Sequence, residues 1–427
     1  MYDQILNLIF SQEKPSFLAG KDVVIPAYQG LSIANLPGSI SGWLNCPLKD
    51  SPPLAPIILD QFEKEFDQVI LLLVDGLSLS VFNQFYNAAL KGRQQKEWKP
   101  LLSKGLFFPL TSIVPSTTSA ALTTLWTGKL PIEHGIIGYE LFLKEFGCIT
   151  NMITHSAVSF INHQANIGDA GFDPKYFLPV TTLGTHFQEN EVKTHVFQHH
   201  SITGSGLSQM IFEDVEKHAF QTESDLWNSV REVFKDKEKE KSFMYIYWGE
   251  IDAHSHRSGP LHPRVKDEWN AFAHFLFQFL STAKSSIHKR TLFLLTADHG
   301  QIPTDILIEY NLNTHADLID HLIMKPSGES RLPFLFIKRG HEEKVAQYLS
   351  THWDQQFEMV SSTKFLDSGL MGYRKAYKGT IDRIGNYVVI PRDNAYWWWV
   401  NKENSLRGRH GGLSPQEMLV PFFAIEL

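Results

Sequence analysis

Three apolar runs in this chain each end in an acid able to hold a cation. QVILLLVDG (68–76) closes on Asp75, YIYWGEID (245–252) on Asp252, and TLFLLTADHG (291–300) on Asp298 with His299 beside it. Any one of these aspartates is most often a turn former or a helix cap. Their recurrence with histidine and glycine neighbours is the donor pattern of a divalent-ion site. DAHSH sets His256 four residues after Asp252, so the two reach a shared ion from one helical turn or a compact loop, with His254 as the competing ligand. Asp298 and His299 can serve one ion only where the backbone turns sharply, which Gly300 permits. A last candidate, His410, stands in RGRHGGLSP, where flanking glycines allow close backbone approach.

A second kind of chemistry lies in VPSTTSAALTTLWTGK (114–129), where Thr117 and Thr118 precede an expected helix closed by Gly128. One hydroxyl is enough for an N-cap. A second, at a helix amino end, faces a place where backbone N–H groups and the helix dipole favour an anion. A threonine hydroxyl is a weak nucleophile near neutral pH, and coordination to a divalent cation lowers its pKa without any histidine base. No GxSxG elbow offers a serine-hydrolase alternative.

These residues need a scaffold that gathers strand ends. Short continuous apolar runs stopping at Asp-Gly or Asp-His-Gly read as strands buried on both faces. Between them lie amphipathic stretches, WNSVREVFKD and EWNAFAHFLFQFLSTA, spaced to pack as helices against a sheet. The alternation predicts an α/β fold with a doubly wound, mostly parallel sheet, whose functional groups collect beyond the carboxyl ends of its strands. TSIVPST is expected as a strand that breaks at Pro115. Residues 1–60, rich in Pro, Gly and Ser, are expected to wrap a surface. Residues 61–304 and 404–427 form the expected core, with MLVPFFAIEL returning as a strand. Between them, 305–403 reads as an inserted smaller α+β cap with strands PFLFIK, FEMVS and YVVI and a helix EEKVAQYLSTH. The run YWWWV (396–400) is either a stacking platform for a nucleobase or, as its alternation favours, a strand burying rings inside the cap.

Bulk properties narrow the class. With 46 acidic against 39 basic residues, the formal charge of -7 excludes bulk attraction to nucleic acid or anionic lipid, so an anionic substrate needs local positive charge. Bound cations supply it. Cys46 and Cys148 make neither a disulfide framework nor a CxxC zinc site. MYDQILNLIF lacks the basic n-region and long apolar run of a signal peptide, and no stretch approaches membrane-span length, so the expectation is a cytoplasmic protein with no membrane partner. Oligomeric state is not legible.

LLLVDG, VPSTTSAALTTLWTGKLPIEHGIIGY, YWGEIDAHSHRSGP, LLTADHG and RHGGLSPQEMLVPF together, in this order, resemble the alkaline phosphatase superfamily, in particular its nucleotide pyrophosphatase/phosphodiesterase branch. The resemblance implies two divalent metal ions, zinc by family custom with manganese as the alternative, roughly 4 Å apart and straddling a transferred phosphoryl group. By position, Asp252, His256 and His410 would hold one ion. Asp75, Asp298 and His299 would hold the other beside the nucleophile, which the family pattern places at Thr118, with Thr117 as the fallback. Two dications against three aspartates and a threonine alkoxide leave the cluster near neutral, suited to a small phosphodiester or nucleotide. The family's animal ecto-enzymes carry an asparagine where this chain has Ala121, which affects how a phosphate oxygen is held. A phosphomonoesterase or phosphomutase reading would need extra cationic groups, for which Arg257, Arg407 and Arg409 are the candidates. A non-catalytic protein retaining the fold would be marked by a lost ligand or hydroxyl, and none is lost. No CxPxR-like motif points to a sulfatase.

Overall fold

The computed structural model describes residues 1–91, 99, 104–159, 166–235, 240–283 and 290–427. Its strands in chain order are β1 (Gln68–Val74), β2 (Leu106–Thr111), β3 (Glu140–Leu143), β4 (Cys148–Asn151), β5 (Ser156–Ala157), β6 (Val192–His199), β7 (Glu216–Phe220) and β8 (Lys241–Trp248). These are followed by β9 (Thr291–Thr296), β10 (Ile302–Pro303), β11 (Ser327–Glu329), β12 (Leu332–Leu335), β13 (Phe357–Ser361), β14 (Tyr387–Pro391), β15 (Gly408–Arg409) and β16 (Leu419–Glu426).

The apolar runs do become a central sheet, of seven strands in the order β2-β16-β9-β1-β8-β6-β7. Every residue of β1 and of β9 is buried, as continuous apolar strands require when helices cover both faces. β1 pairs in parallel with both β8 and β9, with Val74 opposite Trp248 and Leu73 opposite Thr296. That register levels the carboxyl ends of the three strands, so the acids that follow them start from one edge. The fold is the expected α/β architecture with a mostly parallel sheet.

One strand runs the other way. β16 is antiparallel to both β2 and β9, so the loop entering it, residues 410–418, arrives at the edge that the parallel strands leave. His410 reaches the acids for this reason. The loop is anchored from within: Arg331 Nε and Nη2 donate to Glu417 Oε1 and Oε2 at 3.1 and 2.9 Å, both side chains essentially inaccessible. The same carboxylate accepts from Gly412 N, Ser414 N and Ser414 Oγ. These contacts hold its pKa below the usual range against the effect of burial, with the Arg331 charge the largest lowering cause.

Elsewhere the structure departs from expectation in instructive ways. The strand expected at TSIVPST lies earlier, at 106–111, and the chain from Ser112 to Ser116 is irregular because its polar groups bond other loops, Ser112 N to Met418 O and Ser116 Oγ to Gly412 O. Residues 1–60 do more than wrap a surface: helices Tyr2–Phe10 and Leu36–Trp43 bury Ile5, Ile9, Leu36, Ile40 and Trp43 in the main core. The second seven-stranded sheet, β13-β14-β12-β11-β3-β4-β5, joins strands from 327–391 to strands from 140–157 through β11 and β3. The YWWWV rings are core in a second apolar cluster, with Trp397 5.0 Å from Phe357 and 5.6 Å from Trp353. They do not alternate as a strand would. All of Tyr396 to Trp399 are buried and only a single bridge, Trp398 to Asn311, is strand-like, so no face is open to a base. The helix expected at WNSVREVFKD spans Glu223–Phe234, residue 236 lying outside the described residues. Among the described residues no helix is long and apolar enough to cross a membrane.

Glu417→Ala leaves Arg331 as an uncompensated buried charge and is expected to cost about 3–5 kcal/mol in chemical denaturation. The double variant Arg331→Met, Glu417→Ala is expected to cost clearly less than the sum of the single changes, since neither charge is then stranded.

Candidate active site

Asp75, Asp298 and His299 form the buried end of a cluster at the carboxyl edge of the sheet, with side chains 4% exposed or less. Asp252, His256 and His410 form its open side, exposed by 12–23%. The seven residues singled out in the sequence converge here. His256 Nε2 is 3.4 Å from Asp252 Oδ2, and His410 Nε2 is 4.0 Å from Asp252 Oδ1. His299 Nε2 is 3.4 Å from Asp298 Oδ2 and 3.6 Å from Asp75 Oδ1. Asp252 also lies within 4.8 Å of the Asp75 and His299 donor atoms, so its carboxylate stands between the deep and open groups.

Local structure explains the convergence. Asp252 and His256 are four apart on helix Glu250–Ser258, so their side chains share a face. His254 falls on another face, 3.7 Å from Glu268, while His256 is the histidine beside Asp252. Gly76 has φ +71°, and a Cβ there would stand 2.9 Å from the Asp252 backbone and side chain. The turn after β1 therefore needs glycine to let Asp252 approach. Gly300 is also required, for a different reason than backbone freedom: a Cβ would meet Gln416 O at 2.1 Å and Ser78 Cβ at 2.4 Å.

The imidazoles are set in one orientation. His256 Nδ1 is 2.8 Å from Gly408 O, His410 Nδ1 is 3.1 Å from Ser116 O, and His299 Nδ1 is 3.2 Å from Gly300 O. A carbonyl only accepts, so each Nδ1 carries a proton, which turns each Nε2 toward the carboxylates. Burial, reinforced by the two neighbouring imidazoles, holds His410 well below its ordinary pKa and therefore neutral. Its ring stacks on His299 with centroids 3.8 Å apart.

The carboxylates carry the complementary signature. Asp298 Oδ1 accepts from Gly76 N at 3.2 Å and His299 N at 2.9 Å, while Asp298 Oδ2 and Asp75 Oδ1 are buried with no hydrogen-bond partner among the described residues. Unpaired buried carboxylate oxygens are costly. Burial first, then Asp298 and Asp252, push Asp75 well above the usual carboxylate range, and burial likewise raises Asp298. A cation among these oxygens and the facing Nε2 lone pairs reverses that balance. The donor set of carboxylate oxygens and imidazoles thus fits divalent metal: Asp252, His256 and His410 make one candidate metal-binding group, and Asp75, Asp252 and His299 another.

Thr118 opens helix Thr118–Thr127, and Gly128 ends it at φ 64°. Its Oγ1 is 3.1 Å from His299 Nε2, within hydrogen-bond distance. Thr118 is partly exposed toward the cleft. Thr117 is the N-cap by position but its side chain caps nothing; it is buried and hydrogen-bonds Glu329. Ala121 is fully buried in the helix and offers no polar group.

Several partners had no usable sequence signal. Tyr247 OH donates to Asp75 Oδ2, Gln301 Nε2 to Asp252 Oδ1, and Glu329 accepts from Tyr139 N at 2.7 Å as well as from Thr117. Gln301 directly follows the ADHG motif and Tyr247 faces it from β8, so adjacency is the only clue for either. Glu329 comes from the 305–403 stretch. Of the arginines considered for a doubly charged phosphate, Arg409 is held by other partners. Arg409 is buried beneath Tyr396, 3.5 Å from the ring centroid, and bonds Thr304, Leu406 O and Asn404. Arg257 and Arg407 are exposed.

Residues 69–413 match the family model of type I phosphodiesterases/nucleotide pyrophosphatases. The chain belongs to that family. As a member it is a hydrolase acting on phosphoric ester or anhydride bonds. Human ectonucleotide pyrophosphatase/phosphodiesterase 5 has a similar structure, with TM-score 0.61 at 17% identity over 84% of this chain and 87% of that one. The murine protein of the same name, solved also as an inactive threonine-to-alanine variant in complex with AMP, matches this chain at TM-score 0.58 in that variant form, with 16% identity over 84% of this chain and 87% of that one. Phosphonoacetate hydrolase from Sinorhizobium meliloti 1021, in complex with phosphonoacetate, matches with TM-score 0.59 at 15% identity over 83% of this chain and 89% of that one. A comparison with curated protein sequences finds no match.

Burial raises the Glu329 carboxyl to about 8, so it is protonated in the fold at neutral pH. A raised carboxyl pKa stabilises the fold fully below its unfolded value, and that contribution fades as pH rises to the folded one. In metal-free protein, the stability of wild type relative to Glu329→Gln is expected to fall from about pH 5 to about pH 8 and then level off, read by urea denaturation at a series of pH values.

Proposed function

We propose that the protein is a metal-dependent phosphodiesterase or nucleotide pyrophosphatase that cleaves small phosphodiesters or phosphoanhydrides through Thr118, with two divalent cations, zinc in the first instance and manganese as the alternative. One observation carries this reading: a reachable hydroxyl at a helix amino end, 3.1 Å from His299, borders six carboxylate and imidazole groups whose free donor atoms face one another. Asp252, His256 and His410 would hold one ion; Asp75, Asp298 and His299 would hold the other. Bound there, the cations supply Lewis acidity, making the threonine oxygen nucleophilic and offsetting the charge of the ester.

The chain's own groups do the rest. Thr118 Oγ1, its proton passed to solvent, attacks phosphorus in line, the bond from phosphorus to the leaving oxygen breaks, that oxygen takes a proton from water, and the phosphoryl group passes to Thr118. Water then attacks phosphorus and restores the hydroxyl. During both steps the N–H groups of the first helical turn, which have no intrahelical partner, stand where nonbridging oxygens develop charge. The hydrogen bonds from Gly411 N to Ser116 Oγ and from Ser116 Oγ to Gly412 O join the Thr118 turn to the His410 loop, holding nucleophile and ligand in one frame. The commitment of Arg409 to Tyr396, Thr304 and Asn404 keeps it from a second phosphate charge, which supports a singly charged diester over a doubly charged monoester. The murine relative's inactive threonine variant in complex with AMP supports both the hydroxyl's role and a nucleotide-sized substrate.

The test is turnover of an aryl phosphodiester and of the matching monoester by zinc- or manganese-loaded protein. Wild type is expected to prefer the diester and to lose activity with chelator, and Thr118→Ala to retain its metal while kcat falls about 10³-fold or more. Preference for the monoester would shift the assignment to a phosphomonoesterase. Full activity in Thr118→Ala would remove the threonine from the mechanism.

A further inference from the structure

The edge of the central sheet opposite β2 carries another gathering of donors. β6 and β7 run in parallel with His195 opposite Glu216 and Phe197 opposite His218. Residues two apart share a face of a strand, so Lys193, His195 and Phe197 from β6 and Glu216 and His218 from β7 occupy one face of the pair. His195 Nδ1 is 3.1 Å from His218 Nε2 and 3.5 Å from Glu216 Oε2, and His218 Nε2 is 3.6 Å from Glu216 Oε1.

Those separations are informative. Four donors at about 2.1 Å from a zinc-type ion in tetrahedral array stand about 3.4 Å from one another. The candidate active site shows the same spacing, 3.4 to 3.6 Å between His299 Nε2 and its two carboxylates. The β6–β7 donors are also held in place. The His218 ring lies flat against Phe197, centroids 4.6 Å apart at 16°. His195 is only 6% exposed, whereas Glu216 is 53% exposed and open to an arriving ion. Burial keeps His218 below its ordinary pKa, toward the ligating neutral form. The nearest competitor for Glu216 is Lys193, whose Nζ is 4.0 Å away and 37% exposed. Such loose surface pairs contribute little, and a dication displaces them.

We propose that His195, Glu216 and His218 form a separate site for a divalent transition cation of the zinc class, completed by water. Two imidazoles and one carboxylate select that class over calcium or magnesium, which take all-oxygen shells. The ion ties the edge strand β7 to β6 and takes no part in the reaction, since these residues project from within the strands and not from the carboxyl-end loops that carry Thr118.

Metal-stripped full-length protein is incubated with excess zinc, desalted and assayed for metal per chain. Wild type is expected to hold one equivalent more than His218→Gln, and Glu216→Gln, altered only at an exposed side chain, is expected to show the same deficit. Both variants keep phosphodiester turnover within twofold of wild type, and their thermal midpoints no longer gain from zinc beyond what the remaining sites confer. Equal metal content in wild type and both variants overturns the proposal and identifies the cluster as hydrogen-bonded imidazoles. Asp298→Ala separates this outcome from failure of the active-site reading: it lowers metal content only if the cleft binds ions, whatever the β6–β7 pair does.

Discussion

Three carboxylates that stand close together, Asp75 and Asp298 among them out of water, set the terms for the whole molecule. Asp75, Asp298 and Asp252 repel one another, burial makes the repulsion worse, and two of their oxygens have no described hydrogen-bond donor. Backbone carbonyls turn each neighbouring imidazole Nε2 toward them, and the buried Arg409 is committed to the Tyr396 ring. A fold that keeps such an arrangement is built to receive positive charge from outside, and the same positive charge activates an alcohol placed beside it.

The architecture answers that constraint in three ways. Parallel β1, β8 and β9 bring their acids level at one edge. The reversed β16 brings a loop back to that edge with His410 on it, and the Arg331–Glu417 pair fixes the loop from beneath. Ser116 then bonds Gly411, Gly412 and His410, so the turn bearing Thr118 cannot move independently of the ligand loop. Stability and site geometry therefore depend on the same buried contacts.

Much of this was legible in the sequence where a local rule applied. Fully buried strands ending in acids show as apolar runs, the i, i+4 relation of Asp252 and His256 is helical, and Gly128 marks a helix end. What stayed hidden depends on contacts between distant segments. His254 meets Glu268 on the next helix, and choosing Thr118 over Thr117 needs Glu329 from the second sheet. The pairing of β11 with β3, the burial of the four rings in YWWWV and the cross-strand meeting of His195 with His218 have no signature at any spacing along the chain. Gly300 is a case in between: its identity was readable, but its cause is crowding by Ser78 and Gln416, which only the packed structure reveals.

Whether these side chains gather cations is read at atomic level by anomalous diffraction from crystals grown with zinc. The account predicts one peak coordinated by Asp252, His256 and His410 and a second coordinated by Asp75, Asp298 and His299, with Thr118 Oγ1 beside it. A cleft without anomalous density, its aspartates protonated and hydrogen-bonded to one another or to water, would contradict it.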